Sequence, residues 1–182
     1  MAVVTKFPTA NAAETGAGLT NPNNGHADDG SYATAAPGKN TTLATKYQNF
    51  GFDSVIPSDA VITKVQIIYQ WKCSTTGSIA TARTYSKVSG SAGSNHDDTT
   101  EPAGDTTNTY DITSERTWTR SNLLDGTLEV VLAAVQGNSN TAVTFSFDYV
   151  QVEVTYTIPE NPSMWQPATN QPIFEADKVV SY

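Results

Sequence analysis

Between residues 61 and 73 the side chains alternate. Val61, Thr63, Val65, Ile67, Tyr69, Trp71 and Cys73 occupy the odd positions, with Lys64, Gln66, Gln70 and Lys72 among the even ones. A period of two sends these sets to opposite faces, which predicts a half-buried strand of an antiparallel sheet with Trp71 and Cys73 turned inward. No apolar stripe runs at i, i+3, i+4, so a helix is excluded here. Weaker alternation predicts strands over 41–52, 79–88 and 128–134, and a strand pair or one irregular strand over 109–120. In 79–88, Arg83 and Lys87 share a phase with Tyr85, which marks a solvated face.

The last core segment changes phase once. Val143, Phe145, Phe147 and Tyr149 are apolar at odd positions, whereas Val150, Val152, Val154, Tyr156 and Ile158 are apolar at even ones. A one-residue slip reverses every side chain, so the pattern predicts a β-bulge near Asp148 or a strand crossing between two sheets at a corner. Turns are expected at 26–30, 56–59 and 122–126, and an exposed loop over 89–105.

The two ends differ from this middle. Residues 1–30 are rich in Ala, Asn, Thr, Gly and Asp, with Phe7 and Leu19 as isolated anchors, and predict an extended N-terminal arm. Beyond Ile158, prolines recur at 159, 162, 167 and 172, removing ladder donors and favouring an extended path. That stretch also carries Met164, Trp165, Ile173, Phe174, Val179, Val180 and Tyr182. Ordering it costs about 1–2 kcal/mol per residue, and burying each large apolar side chain returns about 1.5–3 kcal/mol. With the terms so close to balance, the arm is expected to order only against a partner. Phe7 and the seven apolar residues of the C-terminal arm are the expected protein-interaction residues. The expected organisation is an arm over 1–30, an all-β antiparallel β-sandwich over 31–158 and a proline-spaced arm over 159–182.

Composition narrows the function. Only 15% of the 182 residues are charged, against about 25% in an average protein, and the formal net charge is -8. Thr, Ser and Asn supply roughly three residues in ten, so the polarity is neutral, as strand faces and turns require. Ten scattered basic residues make no footprint for a phosphate backbone, so nucleic acid is not an expected partner. No apolar run reaches the ~18–20 residues of a membrane-spanning helix, and the first residues show no basic segment followed by an apolar core, so neither membrane nor secretion signal is expected. Cys73 is the single cysteine, expected as a small buried hydrophobe.

Catalytic motifs are missing: there is no G-x-S-x-G, no phosphate-binding glycine loop and no H-E-x-x-H. His26 and His96 sit among turn residues and are expected to be solvated. Asp28-Asp29-Gly30 and His96-Asp97-Asp98 lack the further ligands that a calcium or zinc site needs. Glu101, Glu115, Glu129 and Glu153 could pair as glycosidase carboxylates only if a cleft brought two of them together. The chain is therefore expected to be no enzyme, with no cofactor and no metal. Tyr85, Tyr110 and Trp118 remain as candidate glycan-stacking residues, Trp71 being expected in the core.

Four segments carry a family resemblance. They are Asp28-Asp29-Gly30-Ser31-Tyr32-Ala33-Thr34, Phe50-Gly51-Phe52, Ile56-Pro57-Ser58-Asp59-Ala60-Val61-Ile62 and the run 147–157, from Phe147-Asp148-Tyr149 to Thr155-Tyr156-Thr157. Over about residues 21–158 the chain resembles tailed-bacteriophage virion proteins with a jelly-roll-like β-sandwich, of the capsid decoration or tail-associated type. The resemblance implies a non-enzymatic structural protein, made in the host cytoplasm and located in the virion, most simply a decoration or cement protein. Its implied partners are a major capsid or tail protein and copies of itself, a trimer among the possible assemblies. A host-glycan-binding module is the alternative.

Overall fold

The computed structural model describes residues 1–77 and 79–159. Eleven strands are described: β1 (Ala2–Lys6), β2 (Ala10–Thr15), β3 (Ala33–Ala35), β4 (Thr42–Gln48), β5 (Val61–Cys73), β6 (Ala80–Val88), β7 (Ser91–Ala92), β8 (His96–Asp98), β9 (Thr106–Asp111), β10 (Leu128–Gln136) and β11 (Phe145–Thr157). They form two antiparallel sheets, a jelly-roll-like β-sandwich. Sheet 1 has the order β1-β11-β5-β9, with β3 also on β11. Sheet 2 has the order β2-β4-β10-β6-β7, with β8 also on β6.

The alternation of β5 is realised from Val65 onward: Val65, Ile67, Tyr69, Trp71 and Cys73 are buried, and their even-numbered neighbours are half-buried. Val61 and Thr63 are instead exposed, beyond a register shift in which Thr155 pairs with Lys64 and Tyr156 with Ile62. Between the sheets, Trp71 stacks on Phe145 and Phe147 with centroids 5.8 and 6.4 Å apart. The phase change in β11 is a bulge. Phe147 pairs with Trp71 and Val150 with Tyr69, so three steps on β11 answer two on β5. The extra residue sits at Asp148–Tyr149, next to the point where β3 gives way to β1 as the partner of β11. The buried Asp148 carboxylate accepts the Gly30 N–H at 3.1 Å, fastening the 26–30 turn to the bulge.

Residues 1–30 correct the expectation of an arm. β1 pairs with β11 from Ala2↔Tyr156 to Lys6↔Val152, and β2 pairs with β4 from Ala10↔Gln48 to Thr15↔Ala44. The chain steps from one sheet to the other through Phe7-Pro8-Thr9, and Leu19 enters the core. Edge strands need only backbone partners and one modestly apolar face. An Ala- and Thr-rich segment supplies this without a strong period, so the pattern did not betray it. The expected loop over 89–105 likewise contains β7 and β8. The Asp98 side chain on β8 accepts Trp71 Nε1 at 2.7 Å and Asn108 Nδ2 at 2.6 Å, joining sheet 2 to β5 and β9 of sheet 1.

Candidate functional site

β10 shows where the molecule departs from a simple two-layer pattern. Eight of its nine residues are buried, on both faces. Leu128, Val130, Leu132 and Ala134 belong to the core between the sheets, whereas Val131 and Ala133 face outward. There they pack with Ala44 of β4, and Tyr85 and Val135 close around them. A small apolar cluster on the outer side of a sheet needs a cover, and side chains of the same sheet supply it.

The cover is a network of charges. Lys87 Nζ lies 2.7 Å from Glu14 Oε1 and 3.6 Å from Glu129 Oε2, while Lys46 Nζ is 3.0 Å from Glu129 Oε1. Gln48 donates to the same Glu129 oxygen at 2.6 Å. Glu14 is on β2 and Lys87 on β6, with β4 and β10 between them. In a flat sheet three strand spacings are about 14 Å. Two long side chains reaching toward each other over β4 and β10 close the pair across the outer face.

Beside the network lies an open groove of ≈ 400 Å³. Ala44 and Ala133 form its floor, Tyr85 and Arg83 one wall, Thr15 and Thr42 the other, and Ala92 and Asn95 part of the rim. The small floor residues leave the volume, and the register Ala44↔Ala133↔Arg83 aligns them across three strands. Arg83 is held by a two-pronged contact to Asp97, at 2.6 and 2.8 Å. The guanidinium lowers the Asp97 carboxyl below the usual aspartate range. Burial pushes the Tyr85 phenol up, and the nearby Glu14 charge adds to this. Lys87 is raised chiefly by its bond to Glu14. At neutral pH the groove therefore presents a neutral phenol, hydroxyls, an amide and paired charges.

The expected site residues disperse. Tyr85 lines the groove. Tyr110, on β9 of sheet 1, stacks on the His96 ring at 4.8 Å and on Tyr69 at 6.1 Å. Trp118 offers no stacking surface: it is 7% exposed, donates its indole N–H to the Ile112 carbonyl at 3.0 Å and lies under the Arg116 guanidinium. Its neighbours in sequence are polar, so only the fold reveals it as core. Phe7 is 37% exposed, its ring edge-on to Tyr149 at 6.0 Å. Met164, Trp165, Ile173, Phe174, Val179, Val180 and Tyr182 lie outside the described residues. Sequence reasoning missed Ala44, Ala133 and Asn95 as site residues. One signal was present: β10 is apolar in both phases, which a strand with one solvated face would not be.

Both histidines depart from the expectation of solvated loop residues. His96 is on β8 with Nε2 2.7 Å from Glu115 Oε1. His26 lies 2.9 Å from Asn11 Nδ2, edge-on to Tyr47, and burial lowers its pKa. Ser86 donates to Glu115 at 3.4 Å, so the carboxylate stands between hydroxyl and imidazole and the three make no nucleophile–base pair. The four glutamates weighed as carboxylate pairs have separate partners: Glu101 accepts the Ala80 N–H, Glu115 meets His96, Glu129 holds Lys46, and Glu153 accepts from Thr5. Among the described residues no group of three or more His, Cys, Asp or Glu could hold a metal ion, and no helix is long and apolar enough to cross a membrane.

No family model matches the chain, and no curated protein matches it. Among solved structures it is similar to one described as "CBM4 structure and function", at 14% identity and a TM-score of 0.47, covering 84% of this chain and 94% of that one. It is also similar to the CBM36-1 domain of a multidomain xylanase from the hindgut metagenome of Trinervitermes trinervoides, at 10% identity and a TM-score of 0.39, covering 85% and 97%. A family 35 carbohydrate binding module from an environmental isolate aligns at 11% identity and a TM-score of 0.38, covering 87% and 99%. Likenesses this distant bear on neither the ligand nor the chemistry of this chain.

Proposed function

We propose that this chain is a non-catalytic binding module that takes a carbohydrate chain in the groove of sheet 2. The observation that carries the reading is the groove itself. Its ≈ 400 Å³ lie within the range of small-ligand sites, about 300–1,000 Å³. It sets the phenol ring of Tyr85 beside an alanine floor and surrounds both with side chains that can meet sugar hydroxyls. A pyranose ring has one face of C–H groups and a rim of hydroxyls. The first suits Tyr85 and the alanines, the second suits Thr15, Thr42, Asn95 and the Arg83–Asp97 pair. Because that pair is held on both prongs, little side-chain entropy is lost on binding.

The test is retention of the full chain on immobilised polysaccharides and a glycan array, followed by titration of the best ligand. Tyr85→Ala is expected to weaken that ligand by about tenfold or more, near 1.4 kcal/mol, with the far-ultraviolet circular dichroism unchanged. An array without hits, or Tyr85→Ala binding as the parent does, sinks the reading.

A second reading is the virion structural protein that the sequence resemblance implies. Two of the segments that carry the resemblance, 28–34 and 147–157, meet in space through the Gly30–Asp148 hydrogen bond. Under this reading the sandwich is part of a phage particle, partnered by a capsid or tail protein and by copies of itself, and a glycan groove would serve adsorption. Co-sedimentation with assembled capsids or tails supports it. Absence from both fractions counts against it.

A further inference from the structure

The rim of the groove leads to a second cavity. Around the turn that follows β7, Ser91, Ala92, Gly93 and Ser94 enclose a space of ≈ 430 Å³ with Glu115 and Arg116. Ala92 lines both this cavity and the groove, and its small, exposed side chain makes a low sill between them. Gly93 keeps the second space open, because any side chain there would collide with the Glu115 carboxylate.

One charge in this cavity has no partner. Of the three arginines, Arg83 is forked onto Asp97, and Arg120 donates to the Ile56 and Asp53 carbonyls, each at 2.7 Å. Arg116 makes no hydrogen bond or ion pair among the described residues. Its Nε is buried without an acceptor, which is unusual because buried donors are nearly always paired. The guanidinium lies over the ring of the buried Trp118, 5.2 Å from its centroid. The head is thus held from below, and its terminal nitrogens are the part left to meet a ligand. Glu115, the adjacent residue, does not neutralise it. That carboxylate is taken by His96 at 2.7 Å and Ser86 at 3.4 Å.

The terminal nitrogens of a guanidinium present parallel N–H groups whose spacing fits the two oxygens of one carboxylate. A sugar hydroxyl answers one of them and leaves the charge uncompensated. A uronic acid supplies both oxygens and the counter-charge, on the kind of chain the groove would take. The formal net charge of -8 opposes an anion at a distance, yet screening confines that repulsion to about 8 Å at physiological salt. Contact at Arg116 therefore decides.

We infer that the carbohydrate chain crosses the sill at Ala92 and sets the carboxylate of a uronic acid unit on Arg116, so that the ligand is an acidic polysaccharide. This rests on the groove reading and adds the ligand class to it.

The experiment titrates the full chain with polygalacturonate, glucuronoxylan and hyaluronan, each beside its carboxyl-reduced form, and with a panel of neutral polysaccharides. Reduction keeps the backbone and linkages but exchanges each carboxylate for a neutral hydroxymethyl group. At least one acidic form is expected to bind about tenfold or more tightly than its reduced form. Arg116→Gln should abolish that advantage and leave the affinity for the reduced form unchanged. Arg116→Lys keeps the charge but loses the fork, and should retain only part of the advantage. Tyr85→Ala, by contrast, should weaken acidic and reduced forms alike. Equal binding of the two forms by the parent, or an advantage that survives Arg116→Gln, overturns the inference. So does binding of neutral polysaccharides alone, and in these cases the groove reading stands as long as Tyr85→Ala still weakens the ligand. Should Arg116→Gln lose the parent's circular dichroism, the parent's own preference and Arg116→Lys decide. A chain that binds no carbohydrate of either class loses both readings.

Discussion

The outer faces of the two sheets are built to different plans. On sheet 1, β5 presents Lys64, Gln66, Ile68, Gln70 and Lys72 to solvent, flanked by Gln151 and Glu153 of β11. Contacts along its middle are weak, such as Gln70 Nε2 to Thr107 Oγ1 at 3.3 Å and Thr5 Oγ1 to Glu153 Oε2 at 3.4 Å. Its one ion pair among the described residues, Lys72 with Asp105 at 3.2 Å, lies at the end of β5. On sheet 2, Ala44, Val131 and Ala133 are as buried as core residues, roofed by Tyr85 and by the chain of ion pairs from Glu14 through Lys87 and Glu129 to Lys46. One face is ordinary solvated strand surface. The other is a second, smaller core with charges as its lid, and the groove of ≈ 400 Å³ lies beside it.

That contrast can be broken most directly by charge insertion. Val131→Asp places an unpaired carboxylate under the lid and is expected to cost about 3–5 kcal/mol in urea denaturation. Gln70→Asp, in the middle of sheet 1's face, should stay within about 0.5 kcal/mol. Equal costs would mean that the two faces are alike.

A smaller effect is expected from the lid itself. Lys87→Met removes the partner of Glu14 and one partner of Glu129, at a cost of about 1–2 kcal/mol that shrinks in high salt. The folded state raises the Lys87 pKa, so this contribution is fully present below the ordinary lysine value of 10.5 and is lost as pH rises through the folded value. Parent and variant denaturation curves should therefore converge in strong alkali, and a gap that persists there would contradict the ion-pair account.

The smallest effect belongs to the one buried carboxylate at the bulge of sheet 1. Burial raises the Asp148 pKa, and the Asp28 and Asp29 charges add to this, against the hydrogen bonds from Gly30 and Asp29. A raised carboxyl pKa destabilises the folded state above it, and the penalty is relieved as pH falls through it. Asp148→Asn keeps an acceptor for Gly30 and should raise the melting temperature slightly at neutral pH, with no gain below the folded pKa. A variant less stable than the parent at neutral pH would show that the charge itself holds the turn.

Legibility in the sequence followed the same divide. β5 was readable because one face is core and the other water, and the bulge because it exchanges those faces within β11. Tyr85 was readable as an exposed aromatic in phase with Arg83 and Lys87. The groove around it was not, because Ala44 and Ala133 matter for what they leave empty, and an alanine carries no such message in sequence. β1 and β2 escaped because backbone pairing at an edge leaves little trace in side-chain type. Trp118 escaped because its burial depends on a turn packing back on Ile112.

The edge position of β1 also sets an order of events. Ala2 pairs with Tyr156, 154 positions later in the chain. β1 can pair only after β11 has been made, so it waits for its partner while most of the sandwich is synthesised. Pairings this distant in sequence close slowly, and until then β1 is an unsatisfied strand. The sandwich is assembled by its late strands and sealed by its first.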